Sequence, residues 1–264
     1  MKELNVKELS IRLRDDCSLL VDRLSFRVGS GESLILLGQS GCGKSVSCRA
    51  VMGLLSRRFR VDGSILFDGT ELRGLPERWR ADYYGKRIAL VPQNPMTALN
   101  PSVKIGKQMD ETLRLHTRLN KAQRRERIEK ALTDAGLADT ERVCASRPGM
   151  LSGGMLQRVL IAIALSTDAE LVIADEPTTA LDVVHRNEIV DAFARLRDGG
   201  AALLFVTHDF AAALRLGGDV MVMREGKIVE RGSTREVYAS PRHEYTRALV
   251  RASSLSKGAG HADS

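Results

Sequence analysis

The sequence predicts an α/β fold with a mostly parallel central sheet, an antiparallel β portion and a helical insertion. Three observations predict it. Short continuous apolar runs at 33–37, 88–91, 171–174 and 202–206 have the pattern of strands buried on both faces. Polar residues follow each run, where the carboxyl edge of a parallel sheet would lie and where ligands collect. The long stretch between the second and third runs, 97–166, is mostly helical in pattern.

The elements follow in chain order. Two strand-like apolar stretches, 19–21 and 24–28, end at the turn Gly29-Ser30-Gly31 and read as antiparallel strands entering the core. After the 33–37 strand a helix is expected from Gly43 to about Leu55. Within the helical region, Asn120 followed by Gln123 resembles a capping box opening an amphipathic stretch to Ala135. Ile189, Phe193 and Leu196 stand at helical spacing and should cover the sheet. Residues 220–223 and 227–230, separated by Arg224-Glu225-Gly226, read as a hairpin. One domain is expected over 1–252, with the helical part at about 97–166 inserted into it, and residues 253–264 are expected to form a flexible tail.

Composition bounds the function classes. With 264 residues, 43% hydrophobic and 28% charged, the chain has the balance of a globular protein with a sizeable core. No apolar run approaches the roughly 20 residues of a spanning helix, and the charged start Met1-Lys2-Glu3 lacks a secretory pattern. A cytosolic chain is expected. Cys17, Cys42, Cys48 and Cys144 show no metal-ligand spacing and read as free thiols. The net charge of +7 fits nucleic acid, nucleotide, lipid head groups or an acidic partner equally well. The basic segments 57–60 and 124–127 have no interleaved aromatics, so no nucleic-acid partner is expected.

The chemistry begins at Gly38-Gln39-Ser40-Gly41-Cys42-Gly43-Lys44-Ser45, a P-loop pattern standing between a predicted strand and a predicted helix. Glycines there let backbone N–H groups turn inward around phosphates. Lys44 would meet the β- and γ-phosphates and the Ser45 hydroxyl would coordinate Mg²⁺. The loop residues, with Val46 after them, form the candidate ATP-binding set. The 171–174 strand ends in Asp175 and Glu176, one suited to the magnesium shell and the other to polarising an attacking water. Taken alone, that pair could equally be solvated acids.

Ser152-Gly153-Gly154 opens another predicted helix, readable either as a capped helix start or as a second phosphate-binding surface for a nucleotide on a partner chain. Gln93 and His208 follow buried strands at positions suited to reaching a γ-phosphate.

In their order and spacing these motifs resemble the ATP-binding-cassette (ABC) ATPases, a P-loop NTPase fold, over about residues 4–252. The resemblance implies a head-to-tail dimer, ATP lying between one subunit's P-loop and the other's signature residues, here Ser152, Gly153, Gly154 and Gln157. It implies that Gln93 binds Mg²⁺ or the attacking water, that Asp182 couples the two sites, and that His208 contacts the γ-phosphate. It thus makes Glu176 and His208 the catalytic candidates, and Ser45, Gln93 and Asp175 the metal candidates. The segments Pro92 to Pro101 and Pro241 to Leu249 are similar to the oligopeptide, dipeptide and nickel importer branch, nearest its nickel-type subunit.

That branch implies two membrane permease subunits, a separate substrate-binding protein and a second ATPase subunit, a heterodimer being favoured over a homodimer. It places the chain peripherally on the cytoplasmic face of the cell membrane, coupling ATP hydrolysis to uptake of nickel, a metal chelate or short peptides. The alternative is a soluble ABC ATPase acting on nucleic acid or ribosomes. One departure stands out. Residues 13–18, where the family usually places an aromatic for adenine, have none, which leaves aliphatic groups or Arg14 for that task.

Overall fold

A computed structural model describes residues 2–179 and 181–258, the side chains from 254 onward excepted. The chain divides into two compact units, one built from Met1–Leu75 with Ala202–Ser264 and the other from Pro76–Ala201.

The first unit opens with β1 (Glu3–Leu13) and β2 (Leu19–Gly29), paired antiparallel. The two apolar stretches expected as separate strands are one. The interruption at Asp22-Arg23 is an irregularity inside β2, where Arg23 takes φ 48° and the register with β1 shifts. With β4 (Phe59–Phe67) and the short β5 (Thr70–Glu71) they form an antiparallel sheet in the order β2-β1-β4-β5. Its core face is written by alternation: Leu4, Val6, Val21, Phe26, Ile65 and Phe67 are buried.

Between β2 and β4 lie β3 (Ser33–Leu37), buried at every residue, and α1 (Lys44–Val51). The helix ends earlier than the expected Leu55. Gly53, at φ 63°, donates to Ala50 O while Leu54 N reaches Arg49 O, a pair of bonds that closes the last turn and stops the helix.

The second unit holds α2 (Glu77–Tyr83), β6 (Ile88–Val91), α3 (Ile105–His116), α4 (Lys121–Asp134), α5 (Thr140–Ala145), α6 (Gly153–Ser166), β7 (Leu171–Asp175) and α7 (Val183–Asp198). β6 and β7 pair in parallel, and the helices α3 to α6 occupy the chain between them. Arg87 and Glu170, just ahead of the two strands, are joined at 2.7 Å. Both halves of the Asn120/Gln123 capping box form at the start of α4, which packs on α6. α6 is apolar almost all round, and Leu156, Val159, Leu160, Ile161 and Ala164 are buried. In α7, Ile189 and Phe193 are buried as expected, whereas Leu196 is half-buried.

The chain returns to the first unit with β8 (Ala202–Thr207), α8 (Phe210–Leu216), β9 (Asp219–Arg224), β10 (Lys227–Ser233), α9 (Thr234–Ala239) and α10 (Glu244–Gly258). β3 lies between β8 and β9 and is parallel to both, which explains its unbroken apolar run. The β9–β10 hairpin turns on Glu225 and Gly226, both at positive φ, the requirement of a two-residue turn that matches strand twist. The tail expected from 253 is helical as far as Gly258; 259–264 lie outside the described residues. Among the described residues no helix is long and apolar enough to cross a membrane.

Candidate functional site

In the first unit, β3 runs directly into the glycine loop and then into α1. A Cβ at Gly38 would fall 2.3 Å from Met223 O, and one at Gly43, already at φ 109°, would fall 2.8 Å from Leu20 O. Side chains are therefore barred at both ends of the loop. At Gly41, φ 83°, a Cβ would meet nothing within 4 Å among the described residues, so the loop's tip opens away from the core.

Gly43 is the N-cap of α1; no described side chain caps this start, and no acidic residue lies in its first turn. A helix start of that kind is suited to an anion. Lys44 is 3% exposed, and its Nζ donates to Gly38 O at 2.7 Å and Gln39 O at 2.8 Å. The loop's own carbonyls thus stabilise a cation that burial would otherwise penalise. Cys42 is buried, and its carbonyl accepts from Gly226 N at 3.0 Å, so the β9–β10 turn braces the loop. Ser45 and Val46 are half-buried. His208 is exposed immediately after β8.

In the second unit, the parallel pairing of β6 and β7 brings the residues just past each strand together. Glu176 accepts at one carboxylate oxygen from Gln93 Nε2 at 3.3 Å and from Thr179 Oγ1 at 3.2 Å. Glu176 is 5% exposed and Asp175 4%. The chain leaves β7 abruptly, with Glu176 at φ 47° in the left-handed region. Thr179 was not singled out in the sequence, although its place three residues after the acid is the local signal for it.

Ser152 is the N-cap of α6, its Oγ accepting from Met155 N at 3.3 Å, and Ser152 and Gly153 are exposed. Gln157, expected among the signature residues at a partner's nucleotide, is buried within this chain. It is 1% exposed, and its Nε2 donates to Pro92 O at 3.3 Å, so the side chain is turned inward. Asp182 caps α7: its carboxylate accepts from His185 N at 3.0 Å and lies 2.6 Å from His185 Nδ1. The backbone N–H of His185, then its side chain, hold the Asp182 carboxyl below its ordinary value. Ala180, beside it, lies outside the described residues.

No cluster of three or more His, Cys, Asp or Glu among the described residues is arranged to hold a metal. Arg14 is exposed at the β1–β2 turn, and residues 13–18 supply no aromatic ring.

A glycine loop between a buried strand and a helix, with a buried lysine closing it, defines the P-loop nucleotide triphosphatases. The family model for the ABC transporter matches residues 21–179. The chain belongs to the ABC transporter ATP-binding family and is an ATP hydrolase of that family.

Among its relatives, the metal-staphylopine import system ATP-binding protein CntD of Staphylococcus aureus is 40% identical over 255 residues, which are 95% of this chain and 93% of that one. The dipeptide transport ATP-binding protein DppD of Escherichia coli is also 40% identical, over 96% of this chain and 78% of its own. A dimeric ATP-binding cassette solved in a post-hydrolysis state with ADP and Pi superimposes with a TM-score of 0.79 at 24% identity, covering 88% of this chain and 99% of that one, a likeness of fold.

Proposed function

We propose that this chain is the ATP-hydrolysing subunit of an importer, with Gly38 to Val46 holding the nucleotide and Glu176 acting as the base toward the attacking water. One observation carries the reading: a buried carboxylate at the end of a parallel strand, fixed by Gln93 and Thr179 on a backbone in the left-handed region. Phosphoryl transfer needs positioning and charge stabilisation more than covalent chemistry, and a carboxylate held from two sides supplies positioning. Lys44 stabilises charge on the transferred group, and His208 reaches the γ-phosphate. Ser45, Gln93 and Asp175 would hold Mg²⁺, which neutralises phosphate charge when bound.

The relatives' names support import, and they span two cargo classes, metal-staphylopine and dipeptides. We assign the cargo to metal chelates or short peptides. The chain would pair with a second ATPase subunit, more readily a related one than a copy of itself, through Ser152, Gly153 and Gly154 at the partner's nucleotide and Asp182 between the two sites. It would dock on two permeases served by a substrate-binding protein, at the cytoplasmic face of the membrane.

The test is Glu176→Gln. MgATP binding should persist while turnover falls about 10²- to 10⁴-fold, the span of general-base catalysis. Unchanged turnover would remove Glu176 from the chemistry. Uptake of a labelled metal chelate and of a labelled dipeptide, with and without this chain, decides the cargo; loss of neither would end the importer reading.

A further inference from the structure

The phosphate loop is held from a direction that none of its own motifs accounts for. Gln39, the second residue of the loop, is exposed, yet its peptide is fixed on both sides. Its carbonyl accepts from Lys44 Nζ at 2.8 Å, and its N–H donates to Tyr245 Oη at 2.9 Å. Tyr245 stands 206 positions later, in the first turn of α10.

The tyrosine is itself built into place. Glu230 of β10 accepts from the N–H groups of Arg242 at 2.7 Å and His243 at 3.0 Å, anchoring the chain just before α10. His243 Nδ1 then accepts from Tyr245 N at 3.1 Å. The Arg224 guanidinium, on the strand whose turn braces Cys42, lies 5.4 Å from the centre of the Tyr245 ring and 3.8 Å from the Glu244 carboxylate. Beside the Tyr245–Gln39 bond is a cavity of about 670 Å³ bordered by Ser40, Gly41 and Cys42 on one side and Ala248, Leu249 and Ala252 on the other. The loop's tip therefore borders open space rather than packed side chains, and a hydrogen bond fixes it where van der Waals contact does not.

We infer that Tyr245 is a positioning residue of the nucleotide site, acting through Gln39 on Lys44. Its hydroxyl holds the Gln39 peptide so that the Gln39 carbonyl stays under the lysine ammonium; without the hydroxyl, that turn of the loop has more conformations to lose when nucleotide binds. The cost falls on binding and not on the chemical step, since Tyr245 belongs to the loop's support and not to the group that activates water. The inference rests on the proposal that Gly38 to Val46 hold the nucleotide.

Tyr245→Phe is the test, because it keeps the ring against Arg224 and removes only the acceptor oxygen. In the full chain the KM for ATP should rise about three- to tenfold, the range set by one neutral hydrogen bond, with kcat within about twofold of wild type. A fluorescent ATP analogue should show the same weakening without turnover, and Tyr245→Ala should weaken binding at least as much. An unchanged KM and unchanged analogue affinity in Tyr245→Phe overturn the inference. So does a lowered Tm with unchanged KM, which is the signature of a purely structural tyrosine. Wild-type chain that fails to bind the analogue would instead sink the nucleotide-site proposal, and this inference with it.

Discussion

Two helices of this molecule start beside glycines, and their starts are opposites. α1 begins behind Gly43, a residue with no side chain to offer its first-turn N–H groups, and a buried lysine folds back over the loop ahead of it. α6 begins behind Ser152, which satisfies Met155 N with its own hydroxyl, and then shows Gly153 to solvent. Among the described residues the first start lacks a side-chain cap, a form suited to an anion, whereas the second is capped by its own serine and presents a thin, side-chain-free surface. A glycine-rich helix start is thus not one device but two, and the cap residue tells them apart.

The largest effect that sharpens this contrast is expected from Lys44→Ala. Removing an ammonium that makes charge-assisted bonds should weaken MgATP binding by about 100-fold or more in a nucleotide titration. A loss under threefold would mean that the loop binds without it. Gly43→Ala comes next: its Cβ would strike Leu20 O and Met223 Cε, both at 2.8 Å, at a φ that L-residues avoid. About 2–4 kcal/mol of stability should be lost in denaturant unfolding.

Gly41→Ala shares the positive φ but has open space around it, so only about 1–2 kcal/mol should be lost. Equal costs at the two positions would refute the geometry given for the loop. Ser152→Ala should cost about 1 kcal/mol as a lost cap, visible as a Tm lower by about 2–4 °C, while the chain's own ATP affinity stays put. A fall in that affinity would erase the distinction between the two starts.

The smallest effect concerns the Asp182 cap. Its carboxyl is held below the ordinary aspartate value by His185, and Arg158 adds to the pull, so the charged form is favoured in the folded chain. The contribution is therefore complete above the unfolded aspartate value and is lost as pH falls through the lowered folded one. The Tm gap between wild type and Asp182→Ala should hold at neutral pH and narrow in acid. A gap that widens in acid would contradict that sign.

Much of this was readable in advance, for physical reasons. β3, β6, β7 and β8 are enclosed on both faces, and such strands leave unbroken apolar runs that need no tertiary knowledge to find. The strand-end positions of the loop, Asp175, Glu176, Gln93 and His208 were legible because each follows one of those strands. The Asn120/Gln123 box was legible because both partners lie within four residues. What failed depended on distance or on rotation. Asp22-Arg23 looked like a break between strands because a backbone irregularity mimics a turn in sequence. β1 and β4 were passed over where positions such as Arg60, Asp62 and Ser64 dilute the alternation of a sheet with one wet face. The inward direction of the Gln157 side chain was not legible, because it is set by the angle of α6 about its axis. Tyr245 could not be connected to Gln39 at all, since only the folded chain makes neighbours of residues 206 apart.

Glu176 carries a consequence for how this protein can change over time. Its backbone sits where a glycine would rest easily and where an L-residue is strained by about 1–2 kcal/mol. A drift toward a more robust fold would favour glycine or asparagine there, and either would discard the carboxylate. With Glu176 as the base proposed above, selection for durability and selection for turnover pull against each other at this one codon, and the fold must find its surplus elsewhere, in strands such as β3 that are buried from end to end.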